Sequence, residues 1–418
     1  MLAFRQDADK PYFGHDLSVH GVLRLRNEPP RQFAGRIWCT AVAITRLTSV
    51  SVRGLRGLPG IEIALQPITA LIGPRGVGKS RLLAAISWLL TGRPDLSGDS
   101  FGGEPPVVAA SGLKVAGSLE TPEGLVEIER RPGATPRIAL PPTRFLPAAE
   151  RLPPLPEEAP VGWSDAAQAE QMVAMIAERR LAGVEGELLI IEEPELMLTP
   201  HQQRHLYAIL RRYGERNQVI YSTRSPALLD AVHYNEIVRL DRTSAGMTVR
   251  RVTHELLDEE QLLRLAAEFD HERSEMFFAT AVVLVEGQTE RLSFPQLFRR
   301  LGHDPDALGI SIVEVGGKGN LILVARVLAE LQIPHVIVHD SDRGEGSQRE
   351  NELIRQAAGR APVVILEPDF EAVAGIHGHE DKVLNAWRRF STMDPARIPR
   401  PFREIVEKTV ALAVGELV

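Results

Sequence analysis

The chain has 418 residues, of which 44% are hydrophobic, and a formal net charge of −7 at pH 7. Because one hydrophobic core rarely serves more than roughly 250 to 300 residues, this length predicts two domains. The negative charge excludes a global basic field, so any contact with nucleic acid would need local cationic patches.

Three stretches of the sequence are candidates for such patches. They are Arg299 with Arg300, Arg388 with Arg389, and residues 397–403. Solvated helix faces carry such groups routinely, so an ordinary surface helix remains the alternative for each.

The single cysteine, Cys39, cannot form an intrachain disulfide, which favours a reducing compartment. The first residues lack the apolar stretch of a signal peptide. The longest apolar runs, such as residues 281–285, are far shorter than the roughly 20 residues of a membrane span. We therefore expect a soluble, cytoplasmic protein that makes no membrane contact.

The first half of the sequence alternates between strand and helix patterns. Residues 1–40 show no clear periodicity and predict an extension ahead of the first domain. The patterns then predict strands at 44–55, 61–65, 68–72, 113–119, 124–131, 137–140, 187–191 and 218–223, and helices at 80–90, 166–181 and 202–213. The proline cluster at 153–160 predicts a loop between them.

The second half shows a more regular alternation. A polar helix is predicted from 254 to 278, followed by strands at 281–287, 311–315, 335–340 and 363–366 and helices at 290–301, 320–331 and 347–358. Buried strands that alternate with helices are typical of a mainly parallel sheet, so the fold class is α/β in both halves.

A phosphate-binding loop lies between the third predicted strand and the first helix. The segment from Gly73 to Ser80 matches the pattern G-x-x-x-x-G-K-[ST]. Gly73, Gly76 and Gly78 would let backbone N–H groups surround the phosphates. Lys79 would reach the terminal phosphates and the Ser80 hydroxyl would bind magnesium, which predicts an ATP–Mg²⁺ site.

An acidic pair follows the buried strand at 187–191. Glu192 would hold magnesium through water, and Glu193 would orient or deprotonate the attacking water as a catalytic residue. The alternative is a strand followed by a solvated acidic turn. The upstream phosphate loop favours the first interpretation.

A second set of acids follows two strands of the C-terminal half. Glu286 ends the strand at 281–285, and Glu290 lies one helical turn further on. Asp340 and Asp342 end the strand at 335–340. Because the carboxyl ends of parallel strands meet at one edge, we expect a cleft whose hard oxygen ligands suit Mg²⁺ or Mn²⁺.

These motifs resemble those of a known family. The acidic pair, the proline after it and residues 198–203 are similar to ABC-type ATPases of the SMC, RecF and OLD kind. The glutamate after a strand, the GGKGN turn at 316–320 and the D-x-D motif resemble a Toprim domain. Together they resemble the OLD (overcoming lysogenization defect) nucleases over about residues 43–385.

The resemblance also marks departures in the ATPase half. Arg224 stands where the family usually places a switch histidine, and Arg75 stands where relatives usually carry asparagine. The segment 163–168 is only a faint candidate for the signature that acts across the ATPase dimer. The resemblance therefore implies ATP binding with slow or regulatory hydrolysis.

In the C-terminal half the resemblance adds two residues. Glu371 matches a further metal-binding glutamate, and Lys382 matches a catalytic lysine that stabilises charge on the phosphate. The acids that would then hold one or two divalent ions are Glu286, Glu290, Asp340, Asp342 and Glu371.

The resemblance implies a metal-dependent DNA endonuclease or nickase in phage defence or DNA metabolism. The implied partners are DNA, a second copy of the chain as a homodimer, and a defence-system partner protein. Two alternatives stay open: an ATP-gated DNA-binding scaffold whose nuclease needs a partner, and an RNA-processing Toprim enzyme.

The expected domains follow from the positions of these motifs. They are an extension at 1–40, an ABC-type P-loop ATPase domain at 41–253, a helical connector at 254–278, and a Toprim (Rossmann-like) domain with C-terminal helices at 279–418.

Overall fold

A computed structural model describes most of the chain after residue 44. The described residues are 45–55, 58, 60–92, 112–133, 140–146, 173, 176, 183–243, 246–269, 271–342, 345–376 and 381–415. The predicted extension, the proline cluster, the candidate signature and most of the predicted segments 137–140 and 166–181 lie outside these residues. Within them, no helix is long and apolar enough to cross a membrane.

The N-terminal half contains two sheets and two α-helices among the described residues. In chain order the elements are β1 (Arg46–Arg53), β2 (Ile61–Ala64), β3 (Ile68–Ile72), α1 (Lys79–Thr91), β4 (Lys114–Thr121), β5 (Gly124–Arg130), β6 (Thr143–Leu146), β7 (Leu188–Glu192), α2 (Pro200–Gly214), β8 (Gln218–Ser222), β9 (Ile237–Thr243) and β10 (Gly246–Arg250). Two short 3₁₀ helices, Pro226–Leu228 and Ala231–Glu236, join β8 to β9.

Sheet pairing in this half positions the phosphate loop next to the acidic pair. One antiparallel sheet has the order β2-β1-β4-β5, and a six-stranded sheet has the order β10-β9-β3-β8-β7-β6. Strands β3, β8 and β7 run parallel and are fully buried, as expected of strands covered on both faces. The loop after β3 and the acids after β7 therefore share one edge, separated by the end of β8.

The C-terminal half is built around a four-stranded parallel sheet. Its elements are α3 (Glu259–Glu268), a 3₁₀ helix (Arg273–Phe278), β11 (Ala281–Val285), α4 (Gln288–Arg300), α5 (Pro305–Leu308), β12 (Ile310–Glu314), α6 (Lys318–Glu330), β13 (His335–Asp340), α7 (Glu345–Ala358), β14 (Val363–Leu366), α8 (Phe370–Ala374), α9 (Lys382–Thr392), a 3₁₀ helix (Pro395–Arg397) and α10 (Arg400–Ala413). The strand order is β12-β11-β13-β14, and every pair in it is parallel.

The predicted single helix from 254 to 278 is wrong. Asp258 caps a helix that starts at Glu259, because its side chain accepts the backbone N–H of Gln261 in a capping box. The helix ends at Phe269, whose backbone is extended, and a separate 3₁₀ turn follows. Strands β6, β9 and β10 have no counterpart among the sequence predictions.

The two halves share one hydrophobic core. It runs from Ile72 and Leu189 in the six-stranded sheet to Leu284 and Val313 in the four-stranded sheet. A second core packs α1 between the two N-terminal sheets, and a third lies between the C-terminal sheet and α4, α9 and α10. The guanidinium of Arg239 on β9 reinforces the connection by donating to the carbonyl oxygens of residues 277 and 279.

Candidate nucleotide and metal sites

The phosphate loop requires glycine at two of its positions. Gly73 has a φ of 137°, and a Cβ there would lie 2.1 Å from the carbonyl oxygen of Leu240. Gly78 has a φ of 118°, and its Cβ would lie 2.5 Å from Leu58 Cδ1. Side chains at these positions would both strain the backbone and clash. The tight turn from β3 into α1 therefore depends on the glycines of the motif.

Lys79 lies buried at the start of α1. Its ammonium donates to the carbonyl oxygens of Gly73 at 2.6 Å and of Pro74 at 3.1 Å. Burial, together with the positive charge of Arg224, lowers the pKa of Lys79, whereas the acids after β7 raise it. The lysine, the acids and Arg224 therefore act on one another at the same edge of the sheet.

Glu193, the predicted catalytic residue of the ATP site, follows β7 in a left-handed conformation with a φ of 42°. Its N–H donates to the carbonyl oxygen of Ser222 at 3.0 Å. Its carboxylate Oε1 lies 2.6 Å from Nη2 of Arg224, so this arginine forms an ion pair with the acid. Glu192, one residue earlier, is buried at the end of the strand.

Glu195 is a member of this site that sequence reasoning missed. Its Oε1 accepts the backbone N–H of Arg224 at 2.6 Å, and burial raises its pKa. Glu193 and Glu195 thus hold the side chain and the backbone of the same arginine. The motif LLIIEEPE contains Glu195, but only the fold shows that it faces the loop after β8.

The C-terminal acids meet at one edge of the parallel sheet. Glu286 follows β11, and its Oε1 accepts the backbone N–H of Asp340 on the neighbouring strand β13 at 2.8 Å. Oδ1 of Asp340 in turn accepts the N–H of Phe370 at the start of α8 at 2.9 Å. These hydrogen bonds connect two strands and a helix around the carboxylates.

Three of the acids share a buried, electrostatically unfavourable environment. Burial, reinforced by the charges of Asp340 and Glu286, raises the pKa of Glu290 to about 7. Burial and the charge of Glu286 also raise the pKa of Asp340 to about 7, and burial raises the pKa of Glu286. None of the three forms an ion pair among the described residues. The hydrogen bond from the Asp340 N–H and the positive charge of Lys318 only partly oppose the rise in the pKa of Glu286.

The other two predicted ligands each have a lysine beside them. Oδ2 of Asp342 lies 2.8 Å from Nζ of Lys318, and Oε1 of Glu371 lies 2.6 Å from Nζ of Lys382. The hydrogen bond to Glu371 raises the pKa of Lys382. Asp342 has a φ of 45°, the same left-handed region as Glu193.

Lys318 is the main site residue that the sequence predictions missed. It is buried at the start of α6, and its ammonium also donates to Oδ1 of Asn351 at 3.1 Å. Nδ2 of Asn351 donates to the carbonyl oxygen of Ser341 at 2.9 Å. The GGKGN turn could have indicated this residue, because a lysine in a glycine-rich turn near several acids is a candidate ion-pair partner for them.

A cluster of phenylalanines fixes the helices that carry Glu371 and Lys382. Phe294, Phe370, Phe390 and Phe402 come from α4, α8, α9 and α10, and their ring centroids lie 5.0 to 6.4 Å apart. Most of the pairs are edge-on, the arrangement that aromatic rings prefer. Packing of this kind positions the glutamate and the lysine next to the sheet edge.

The donor chemistry of this edge fits a divalent cation with oxygen ligands. Carboxylates are the ligands that Mg²⁺ and Mn²⁺ prefer. A cation would offset the burial and the mutual repulsion that raise the pKa values of Glu290 and Asp340. Within the described part of the chain, no three His, Cys, Asp or Glu side chains already form a group that could hold a metal.

Two parts of the chain match models of known protein families. Residues 277–342 match the family model "Overcoming lysogenization defect protein-like, TOPRIM domain". The chain contains an OLD-like Toprim domain. Residues 163–230 match the model "AAA domain, putative AbiEii toxin, Type IV TA system". The predicted resemblance and the α/β class, with an ATPase domain followed by a Toprim domain, are confirmed.

Three curated relatives match parts of the chain. The OLD nuclease of Thermus scotoductus is 34% identical over 245 residues, which cover 52% of this chain and 46% of the relative. The Old nuclease of Escherichia phage P2 is 31% identical over 37% of this chain and 28% of the relative. The endonuclease GajA of Bacillus cereus is 28% identical over 37% of this chain and 26% of the relative. The matches thus span less than half the length of these relatives.

The two domain matches imply use of a nucleotide and of a divalent metal. The particular nucleotide, ATP, the particular metal, Mg²⁺ or Mn²⁺, and the roles of individual residues are part of the function proposed below.

Proposed function

We propose that this protein is an ATP-binding, divalent-metal-dependent DNA endonuclease or nickase of the OLD type. One observation carries the proposal: Glu286, Glu290 and Asp340 converge on one edge of the parallel sheet of an OLD-like Toprim domain. The names of the nuclease relatives are consistent with this function.

In the proposed mechanism the carboxylates hold Mg²⁺ or Mn²⁺. The bound ion supplies a Lewis acid for the scissile phosphate and an activated water. Glu286, Glu290 and Asp340 bind the ion, and Asp342 and Glu371 complete the ligand set. Lys382 is exposed and lies beside Glu371, so its ammonium can contact a phosphate that enters the site and stabilise the charge that develops there.

In the ATPase half, the loop glycines, including Gly76, surround the phosphates. Lys79, Ser80 and Glu192 bind the phosphates and the magnesium of ATP, and Glu193 acts on water. Because Arg224 forms an ion pair with Glu193, hydrolysis is slow and ATP binding serves to regulate access to DNA. ABC-type sites close between two subunits, so the active form is a homodimer.

The cellular setting rests on the resemblance to OLD proteins. We place the protein in the cytoplasm, in phage defence or DNA metabolism, with DNA as its substrate and a defence-system protein as a further partner.

Plasmid cleavage tests the nuclease. Purified protein is incubated with supercoiled plasmid in Mg²⁺ or Mn²⁺, with and without ATP, beside the variant Asp340→Ala. We expect nicked or linear product from the wild type and a loss of more than about a hundredfold in the variant. Circular dichroism checks that the variant is folded. Unchanged cleavage by a folded Asp340→Ala protein would contradict the proposal.

A second candidate function is an ATP-gated DNA-binding scaffold whose nuclease needs a partner. The Arg224–Glu193 ion pair favours it, because an ATPase whose catalytic base is held by an ion pair would hydrolyse ATP slowly and would act through ATP binding. Copurification of a partner, with no cleavage by the isolated chain in any metal, would support the scaffold. Competition between DNA and RNA substrates separates both from an RNA-processing enzyme.

A further inference from the structure

The C-terminal helices concentrate positive charge on an otherwise acidic chain. Residues 382–408 contain seven lysines and arginines and three aspartates and glutamates, a formal charge of +4. The whole chain carries −7. The cationic patches that the sequence suggests separately at 388–389 and 397–403 both belong to this segment.

Helix packing brings the third patch to the same place. Nε of Arg300, the last residue of α4, donates to the carbonyl oxygen of Met393 at 2.6 Å. Met393 ends α9, and the chain then turns through the short helix Pro395–Arg397 into α10. The end of α4 therefore contacts the turn between α9 and α10, where the other basic residues lie.

Four arginines around this turn are exposed and have no ion-pair partner among the described residues. We call them the arginine corner: Arg388, Arg397, Arg400 and Arg403. By contrast, Arg299 on α4 lies 3.7 Å from Asp304 and 3.2 Å from Asp306. Acids do lie nearby in sequence, at Asp394, Glu404 and Glu407. In the described part of the chain none of them forms an ion pair with these four arginines, and Glu404 pairs with Lys408 instead.

Helix α9 connects the arginine corner to the carboxylate site. Its first residue, Lys382, contacts Glu371, and its last turn leads into the corner. Eleven residues of helix span about 16 Å. That length corresponds to about five base pairs along a DNA duplex at 3.4 Å each.

The exposed side of α9 also offers an apolar contact between the two ends. Trp387 and Leu384 are both exposed and lie three residues apart, so they share one face of the helix. An exposed indole next to Arg388 suits a nucleotide, because the ring can pack against a base or sugar while the guanidinium contacts the phosphate.

We propose that the arginine corner binds the phosphate backbone of DNA about five base pairs from the scissile bond. Arginine suits this role because its planar guanidinium donates two parallel hydrogen bonds to a phosphate. The charge of the corner and its connection through α9 to the carboxylates favour DNA as the occupant. This inference rests on the proposed function, since it assigns a role to the surface beside the proposed nuclease site.

Binding measurements without cleavage test it. The affinity of the full chain for a fluorescent 20-base-pair duplex is measured by anisotropy in EDTA, over a series of salt concentrations. The test variant carries Arg397→Gln, Arg400→Gln and Arg403→Gln. The control variant carries Arg53→Gln, Arg204→Gln and Arg212→Gln, three exposed arginines of the N-terminal half.

We expect the dissociation constant of the test variant to rise at least about tenfold. The slope of log K against log salt should become shallower by about 0.9 for each lost phosphate contact, or nearly 3 in all. The control variant should bind like the wild type. Unchanged binding by the test variant, an equal loss in the control, or tighter binding of duplex RNA than of duplex DNA would overturn the proposal.

Failure of this inference can be told apart from failure of the proposed function. If the wild type never cleaves plasmid but its binding to the duplex depends on the three arginines, the arginine corner stands without the nuclease. If the wild type cleaves plasmid and the test variant binds the duplex normally, the nuclease stands without the arginine corner.

Discussion

Two acids in the two halves of the molecule have the same backbone conformation and opposite surroundings. Glu193 and Asp342 each follow the carboxyl end of a parallel strand, with φ values of 42° and 45°, and each forms an ion pair. In the ATPase half the acid is 9% exposed and its partner Arg224 is 48% exposed. In the Toprim half the acid is 52% exposed and its partner Lys318 is 5% exposed.

This difference shows which partner of each pair can move. A left-handed backbone costs a non-glycine residue of the order of 1–3 kcal/mol, so the surrounding structure must hold the backbone of both acids in place, while their side chains differ in freedom. The exposed partner can leave for water at low cost, whereas the buried one cannot. The side chain with more freedom is therefore that of the cation Arg224 at the proposed ATP site and that of the carboxylate Asp342 at the proposed metal site.

The largest expected effect concerns Glu290, an acid that forms no ion pair with any of the described residues. Its pKa of about 7 lies far above the value near 4.3 of a glutamate in an unfolded chain. The folded state therefore binds this proton more tightly, and its contribution to stability is lost as the pH rises from about 4 through 7. In EDTA at pH 8, we expect Glu290→Gln to raise the free energy of unfolding by about 2–4 kcal/mol.

Urea denaturation at pH 5 and pH 8 measures this effect. The gain should shrink towards zero at pH 5, where the carboxyl group is protonated. Glu407→Gln, an exposed acid on α10, serves as the control and should change little at either pH. If Glu290→Gln is no more stable than the wild type at pH 8, the ionised carboxylate of Glu290 does not destabilise the folded state and the prediction is contradicted.

The next effect compares the two cations directly. We expect Lys318→Met to lower the free energy of unfolding by about 1–3 kcal/mol, because Asn351 loses a partly buried hydrogen bond and Asp342 loses its ion pair. Arg224→Met should change stability by less than about 1 kcal/mol, since its side chain is half exposed. Thermal and urea unfolding of both variants measures these two changes. A larger loss of stability in Arg224→Met than in Lys318→Met would contradict the prediction.

The smallest effect concerns ATP turnover. If the ion pair restrains Glu193, Arg224→Gln should raise the rate of ATP hydrolysis by a few fold, of the order of 1 kcal/mol in the barrier. Arg224→Lys keeps a cation and should stay near the wild-type rate. Phosphate release assays distinguish these outcomes, and a slower Arg224→Gln enzyme would mean that the arginine itself assists hydrolysis.

Regular alternation made most of the C-terminal half predictable. The strands between residues 281 and 366 are buried, apolar runs separated by helices, and their predicted ends agree with the structure within two residues. Short polar strands gave no such signal. Strand β9, with the sequence IVRLDRT, carries arginines because Arg239 is satisfied by backbone carbonyls of the connector, a contact that no local pattern reveals.

The sequence predicted which acids lie at the sheet edge, but it did not predict the cationic residues that pair with them. Motif spacing identified the acids, because parallel strands deliver their carboxyl ends to one edge. The partners Lys318 and Asn351 come from two different helices, α6 and α7, whose packing sets the contact. The ion pair between Arg224 and Glu193 likewise joins residues that follow two different strands, and no local sequence pattern predicts it.

We propose that the chain cleaves DNA with its C-terminal carboxylates and regulates that cleavage with its N-terminal ATP site. The most direct measurement compares Asp340→Ala and Lys79→Ala side by side for plasmid cleavage in Mn²⁺, with and without ATP, and for binding of a fluorescent ATP analogue. We predict that Asp340→Ala binds nucleotide normally and cleaves nothing, and that Lys79→Ala loses nucleotide binding and the response of cleavage to ATP. Cleavage by Asp340→Ala, or a wild type whose cleavage ignores ATP, would contradict the account.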